Sequence, residues 1–119
     1  MKDFRDLKVW EKAHQLTLSI YQSTISFPRD EQYGLTSQIR RAAVSVPANI
    51  AEGCGKNGDA ELSRYFQIAM GSSSELEYEL VLAHDLHYLD DNKFYELTGC
   101  HVEVRRMLNT LIQRLRANR

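Results

Sequence analysis

The side chains best suited to bind a metal ion in this sequence are the imidazoles of three histidines. His84 and His87 lie three residues apart, and His101 follows in the next apolar segment. Imidazoles at such spacing could meet at a zinc ion. A di-metal helix bundle, however, needs carboxylate ligands repeated on facing helices, and the sequence has no such repeat. We therefore expect hydrogen-bonded or solvated histidines and no bound metal.

Three glutamates, Glu75, Glu77 and Glu79, are the candidates for acid–base chemistry. On a helix, alternate positions point in different directions, so these carboxylates do not converge as a catalytic pair would. Glu75 and Glu79 share one side, where they could face Arg40 or Arg41 of a neighbouring helix or of another subunit. We interpret them as part of a structural ion pair. No Ser-His-Asp or Cys-His arrangement follows from order and spacing, so we expect no catalytic residue.

The segment GCGKNG, residues 53–58, combines glycines with a lysine before a helix start, as anion-binding loops do. The phosphate-loop pattern GxxxxGK[ST] fails twice, because Ile50 takes the place of the first glycine and Asn57 replaces the serine or threonine. No predicted strand precedes it. We interpret the segment as a turn between helices and expect no cofactor.

Length and composition indicate one folded domain, residues 1–119. Its 43% hydrophobic and 26% charged residues are typical of a globular protein with a single core. The charged start MKDFRDLKVW is unlike a secretory signal, and no apolar run reaches the ~20 residues of a membrane span. Two cysteines make a poor disulfide framework. We expect a cytoplasmic protein with no membrane partner.

Charge is distributed unevenly, although the net charge is only −1. Residues 1–58 carry +2, residues 59–103 carry −8 and residues 104–119 carry +5. The acidic middle and the basic tail could meet within or between subunits, or the tail could form a local basic patch.

Apolar periodicity predicts four helices and no strand, because each series advances by three or four residues, as one helical face does. Only Asp90, Asp91 and Asn92 separate the third helix from the fourth, which makes them antiparallel neighbours. The fold class is therefore all-α, an antiparallel up-down four-helix bundle. The four series are Trp10, Ala13, Thr17, Ile20, Thr24 and Phe27; Leu35, Ile39, Ala43, Val46 and Ile50; Leu62, Phe66, Ala69, Ser73, Leu76, Leu80, Ala83 and His87; and Phe94, Leu97, His101, Val104, Leu108, Leu111 and Leu115.

Capping residues predict where these helices begin and end. A side-chain oxygen at the N-cap satisfies a free backbone N–H, and glycine favours the C-terminal end. The expected markers are Thr36 at the start of the second helix, Gly53 and Gly55 at its end, Asp59 at the start of the third, and Asp90 or Asp91 at the start of the fourth.

The second and third helices carry apolar or small residues outside their core faces as well, and on the outward face of the second these are Val44, Pro47, Ala48 and Ala51. A helix that is apolar on two faces is usually buried on both, and in a chain this small the second partner would be another subunit. The sequence therefore predicts a homo-oligomer, with a closed ring as the natural outcome. The residues expected at helix and subunit contacts are Arg40, Arg41, Val44, Pro47, Ala48, Asn49, Ala51, Glu52 and Glu75.

Pro47 lies in the middle of the second helix. It removes a backbone donor and crowds the carbonyl of Ala43, which costs ~3 kcal/mol or more. A kink there would let the helix follow a neighbour, and an arginine or serine of an adjacent helix would donate to the freed carbonyl. The alternative is that Pro47 ends the helix outright.

Three stretches of the chain resemble a known family: FRDLKVWEKAHQLTLSIY (Phe4–Tyr21), FPRDEQYGLTSQIRRAAVSVPANIAEG (Phe27–Gly53) and YFQIAMGSSSELEYEL (Tyr65–Leu80). The family is the bacterial four-helix bundle family named for proteins encoded inside intervening sequences of large-subunit ribosomal RNA genes. The resemblance implies a homopentamer without established enzymatic activity. The family is similar to the accessory variability determinant of diversity-generating retroelements, a pentamer that partners a reverse transcriptase and binds nucleic acid. His87 stands where the family commonly has glycine.

Two functions remain open at this point. The first is a non-enzymatic, cytoplasmic scaffold or interaction protein that assembles with itself. The alternative is an accessory module that binds RNA or DNA, or partners a nucleic-acid enzyme, although phosphate-driven binding needs more clustered cations than this chain has. Its contacts would come from Arg40 and Arg41 and from the tail residues Arg105, Arg106, Arg114, Arg116 and Arg119.

Overall fold

A computed structural model describes residues 3–117, which form four helices and, within that range, no strand. Short 3-10 turns precede the first and second helices. The subunit is elongated, with extents of 46 × 23 × 20 Å. The predicted all-α subunit of four helices is confirmed. The helices are α1, Lys8–Ser23; α2, Leu35–Cys54; α3, Asp59–Asp85; and α4, Asp91–Ala117.

Contacts between α2 and α3 show that the two helices run antiparallel. The hydroxyls of Ser45 and Ser72 are 2.7 Å apart. Eight residues further along α2, Gly53 lies against Tyr65, seven residues back along α3. The same reversed order holds for the pairs α1–α2, α3–α4 and α1–α4. Consecutive helices are therefore antiparallel, and α4 closes the bundle against α1.

The predicted apolar series form the core, with one exception. The second series is buried throughout, and most members of the others are buried too. Trp10, Leu62, Phe94, Leu111 and Leu115 are partly buried against the same core. His87 is exposed and does not belong to it. The buried residues of the four series are Ala13, Thr17, Ile20, Thr24 and Phe27; Leu35, Ile39, Ala43, Val46 and Ile50; Phe66, Ala69, Ser73, Leu76, Leu80 and Ala83; and Leu97, His101, Val104 and Leu108.

The start of α2 differs from the prediction. Gly34 is the N-cap residue and Thr36 lies inside the helix, so the expected threonine cap is wrong. The first helical N–H, that of Leu35, instead donates to Oε1 of Glu31 at 3.1 Å. A glutamate one turn upstream thus does the work of a capping side chain. At the other end Gly55 is the C-cap, whereas Gly53 lies within α2.

At the starts of the two long helices, one capping prediction is wrong and the other is confirmed. Gly58, with φ of 88°, is the N-cap of α3, and Asp59 is the first helical residue rather than the cap. Its carboxylate still suits the positive end of the helix. Asp90 caps α4, as predicted, because its Oδ1 accepts the N–H of Lys93 at 2.7 Å.

His87 ends α3 in a left-handed conformation, with φ of 64°. The N–H of His87 donates to the carbonyl of His84, and that of Tyr88 to the carbonyl of Ala83. This pair of bonds is the Schellman motif, whose left-handed residue is usually glycine. The left-handed conformation explains why glycine would suit this position, where the resemblance leads us to expect it.

No helix within residues 3–117 has both the length and the apolar character needed to cross a membrane.

Candidate functional site

The carbonyl freed by Pro47 finds its donor in α1. Oγ1 of Thr17 is buried and lies 3.0 Å from the carbonyl oxygen of Ala43 and 2.8 Å from that of Ala13, so its one hydroxyl hydrogen is shared between the two carbonyls. The predicted arginine or serine donor is therefore wrong, and a threonine of the core series takes this role. The α-helical assignment of α2 runs unbroken through Pro47, so the alternative that Pro47 ends the helix is also wrong.

Pro47 itself is buried inside the subunit, which corrects its predicted place on the outward face of α2. Helical geometry puts it about 80° from the centre of the core face, on the side of α2 where the carbonyl of Ala43 meets Thr17 of α1. Val44 and Ala48 are exposed, as that prediction requires of an outward face, and Ala51 is half-buried.

A short polar ladder connects α2 to α3. The Asn49 amide donates to both the carbonyl and the hydroxyl of Ser45, at 2.8 and 3.0 Å. The hydroxyl of Ser45 bonds in turn to that of Ser72. Small side chains at these positions let the two helices approach closely. Asn49 thus bonds within its own helix and supports Ser45, which makes the bond to α3, whereas Glu52, one turn further on, is exposed.

Beside this ladder the two helices form a polar groove with a volume of about 540 Å³. Arg41 lies on one wall and Glu75 on the other. Both side chains are exposed. Across residues 3–117, no ion pair of 4.0 Å or less joins Arg41 to Glu75 or Glu79, so the ion pair predicted within the subunit does not form. The remaining lining residues are Gln38, Ala42, Ser45 and Ser72.

Glu79, one turn beyond Glu75 on α3, is buried beside this groove and does not itself line it. It is only 4% exposed, and no donor within the described part of the chain reaches its Oε1 atom. Burial, together with the adjacent carboxyl of Glu75, raises the pKa of Glu79 to about 7. Two carboxyls in contact cannot both be charged cheaply when one is buried. At neutral pH about half of the molecules therefore keep a proton on the pair.

Arg40 is turned away from the groove and towards the end of α1. Its Nε donates to Oγ1 of Thr24 at 2.8 Å, and Nη2 donates to the carbonyl of Tyr21 at 3.3 Å. The guanidinium also lies 4.7 Å from the centre of the Tyr21 ring. A cation at the carboxyl end of a helix is favourably placed. Arg40 thus joins α2 to α1.

The arginines of the tail do not form one cluster. Arg105 turns to α3, where Nη1 donates to the hydroxyls of Ser73 and Ser74 at 2.9 and 2.7 Å. Arg106 and Arg114 lie elsewhere, beside a cleft of about 350 Å³ between the start of α1 and the end of α4. Arg116 is exposed, and Arg119 lies outside the described residues.

That cleft combines cations with an apolar floor. Lys8 stands with Arg106 and Arg114 at its rim, so three cations share one patch. One of them is partly compensated, since Arg106 lies 4.0 Å from Glu103. Leu7, Val9, Met107 and Leu111 contribute the apolar surface.

The histidines hold structural positions. Nε2 of His101 lies 2.6 Å from the carbonyl of Ser73 and therefore donates to it. Burial lowers the pKa of His101, so its imidazole is neutral. His84 bonds to Asp91 at 2.7 Å and stacks on Phe94. Among the described residues, no group of three or more histidine, cysteine, aspartate and glutamate side chains could hold a metal ion.

Sequence reasoning identified Glu75 but missed the burial of Glu79. A signal was present in the spacing, because Ile68, Ser72, Glu75, Glu79, Leu82 and Leu86 follow alternating steps of four and three residues. This second row lies beside the core row on α3 and has the same period.

Comparisons with known proteins agree with this architecture. The family model described as 23S rRNA-intervening sequence protein matches residues 5–110. The chain is similar to a crystal structure of a protein with unknown function from the S23 ribosomal protein family of Bacteroides thetaiotaomicron, with a TM-score of 0.81. The two are 22% identical over 88% of this chain and 95% of the other. Among curated proteins, none matches this chain.

Proposed function

Because the chain belongs to the 23S rRNA-intervening sequence protein family, we propose that it is a non-enzymatic interaction protein that works as a homo-oligomer in the cytoplasm. A closed ring of five subunits is the assembly that the family resemblance favours. In this proposal α2 bends at Pro47 to follow a neighbouring subunit, and the small residues of α2 allow that neighbour to approach.

The observation that carries this proposal is the apolar surface left exposed on α2 and α3. Val44, Ile68, Val81 and Leu86 are each 40–43% exposed, and Tyr78 is 63% exposed. Isolated apolar residues on a surface are ordinary, and α1 and α4 also expose some, such as Leu18 and Val102. The residues named here lie on two adjacent helices and, for Leu86, at the C-cap of α3. Contact with further subunits would bury them.

Light scattering coupled to size-exclusion chromatography tests the proposal. We expect a mass near five subunits of 13.8 kDa each. Ile68→Glu should shift the mass towards the monomer, because it places a charge where a subunit contact is proposed. Ile25→Glu is the matched control, since Ile25 is 70% exposed and lies in the connection between α1 and α2. A wild-type protein that is monomeric at all concentrations would refute the proposal.

The rim of the α1–α4 cleft favours one second candidate, a nucleic-acid accessory module. Lys8, Arg106 and Arg114 could contact neighbouring phosphates, and a ring would repeat the patch in every subunit. Binding of single-stranded RNA and duplex DNA should then weaken as salt rises. The double change Arg106→Ala and Arg114→Ala should reduce both affinity and the salt dependence. Arg29→Ala with Arg64→Ala removes the same charge elsewhere and should change less. Equal affinity of both double variants would exclude this site.

A further inference from the structure

Two rows of side chains flank the α2–α3 groove, and both have the spacing of a helix-packing seam. The α3 row is Ile68, Ser72, Glu75, Glu79, Leu82 and Leu86; the α2 row is Gln38, Arg41, Ser45, Ala48 and Glu52. Alternating steps of three and four residues keep a row facing one partner helix along its whole length. The core rows of these helices already face α1 and α4, so the groove rows are free to face a fifth helix.

The ends and the middle of the α3 row differ in character. Ile68 and Leu86, at the two ends, expose 40% and 43% of their surface. The middle carries Glu75 and Glu79, with the buried Oε1 of Glu79 unpartnered within the described residues. In coiled coils, one polar layer within an otherwise apolar seam sets the register and the choice of partner.

Few charged groups face the carboxyl pair from within the subunit. Glu75 adjoins Glu79 from the same helix, and Arg41 is the charged residue of α2 that lines the groove. No residue of α1 or α4 lines it. Because Arg41 is not paired with either carboxylate in the described residues, the buried carboxyl lacks the cation that an ionised group needs inside a protein.

We propose that a helix of a second copy of this chain lies in the α2–α3 groove, and that Glu75 and Glu79 bind a cationic side chain from that helix. This inference rests on the proposed function, since it requires self-assembly. Charge complementarity identifies the second copy as the occupant. The α3 row carries Glu75 and Glu79 without a cation, and Arg114 and Arg116 are exposed near the end of α4, so each copy offers acidic and basic side chains to its neighbour.

This arrangement implies that the carboxyl pair changes its protonation state on assembly. In the separate subunit the carboxyl pair retains a proton near neutral pH, whereas a bound guanidinium or ammonium group favours the fully ionised pair. Assembly therefore releases a proton. Since the pKa of Glu79 is raised to about 7 in the subunit, assembly should tighten as pH rises from 6 to 8 and weaken as pH falls. Because a group with a pKa of about 7 loses most of its proton between pH 6 and pH 8, release of that proton at each contact corresponds to about a tenfold change over the range.

Sedimentation analysis of the full-length chain at pH 6 and pH 8 measures this effect through the subunit dissociation constant. We expect it to be about tenfold lower at pH 8 for the wild type. Glu79→Gln keeps the shape of the neutral acid, so it should fold normally, as checked by circular dichroism. It should assemble at least tenfold more weakly than the wild type at pH 8 and lose most of the pH dependence. Glu77→Gln removes the same charge from an exposed position of α3 outside both rows and should behave like the wild type.

Three outcomes would overturn the inference. Glu79→Gln that assembles as tightly as the wild type at pH 8 would show that no cation binds the pair. Wild-type assembly that tightens towards pH 6 would show that the neutral carboxyl is the form buried at the contact. A wild type that stays monomeric at both pH values would refute the proposed function as well, which distinguishes that failure from the first two.

Discussion

We predict that the hydrogen bond from Thr17 to the carbonyl of Ala43 replaces the backbone N–H donor that Pro47 lacks. Replacing Thr17 with valine keeps the shape of the side chain and removes the hydroxyl donor. The carbonyl then remains buried without a partner, because Pro47 has no N–H to offer. Loss of one partner from a buried polar group costs about 1–3 kcal/mol. We expect Thr17→Val to lower the free energy of unfolding by that amount.

The size of the effect in a thermal melt follows from the length of the chain. Unfolding entropy of about 2 cal/mol/K per residue gives roughly 4 °C of Tm per kcal/mol for 119 residues. Thr17→Val should therefore lower Tm by about 4–12 °C at a fixed protein concentration. Thr110→Val is the matched control, because Thr110 also donates to the carbonyl four residues earlier but is exposed. Its effect should stay within about 0.5 kcal/mol.

A double-mutant cycle with Pro47→Ala separates the proposed cause from a general packing loss. Alanine at position 47 restores a backbone N–H that can donate to the carbonyl of Ala43. Thr17→Val should then cost about 1 kcal/mol less in the Pro47→Ala background than in the wild type. Equal costs in the two backgrounds would refute the reasoning, since the hydroxyl would not be replacing the donor that proline lacks.

Three further predictions concern backbone conformation and protonation. Gly53→Ala should lower the free energy of unfolding by about 1–2 kcal/mol, because the new Cβ would lie 2.9 Å from Cβ of Tyr65. For Gly71→Ala the new Cβ would meet nothing within 4 Å, so this change should raise the free energy of unfolding by about 0.5–1 kcal/mol. Urea titrations measure both effects. His87→Gly should raise Tm by a few degrees, since glycine relieves the φ of 64°; an unchanged or lower Tm would contradict this. For the monomeric subunit, the raised pKa of Glu79 means that this group's contribution to stability is greatest at acid pH and falls by up to ~3 kcal/mol as pH rises from about 4.5 to about 7. Glu79→Gln should flatten that dependence in urea titrations across the range.

The helices could be predicted because their information is local and repeated. Each core series gives several independent turns of the same period, so a single unusual residue such as Pro47 does not hide the pattern. Helix ends depend instead on one or two side chains. The Thr36 cap was wrong because Glu31, four residues before the first helical N–H, competes for the same position. Spacing alone does not decide which oxygen reaches that N–H.

The arginine tail shows why clustering in the sequence does not predict clustering in space. Consecutive residues on a helix point about 100° apart, so Arg105 and Arg106 face different neighbours. Arg105 bonds to α3, whereas Arg106 lies beside the cleft next to α1. Lys8 joins Arg106 and Arg114 only because α1 and α4 pack side by side. The candidate basic patch is thus a product of tertiary structure, drawn from both ends of the chain.

The α2–α3 groove illustrates a different limit, because its row of residues has the right spacing but a mixed composition. Apolar periodicity reveals a packing row only when the residues of the row are apolar, and Ser72, Glu75 and Glu79 interrupt this one. In a row exposed to water, glutamates at these positions would be hydrated and would need no partner within the protein. What distinguishes the row is that Glu79 is buried by its own subunit without a donor to Oε1. A folded chain retains such a group only where a proton or a cation compensates for its burial. A proton suffices for the separate subunit near neutral pH, and a neighbouring cation would serve in the assembly. Whether the Glu79 carboxyl keeps or releases its proton on assembly is therefore the property that links this side chain to self-association.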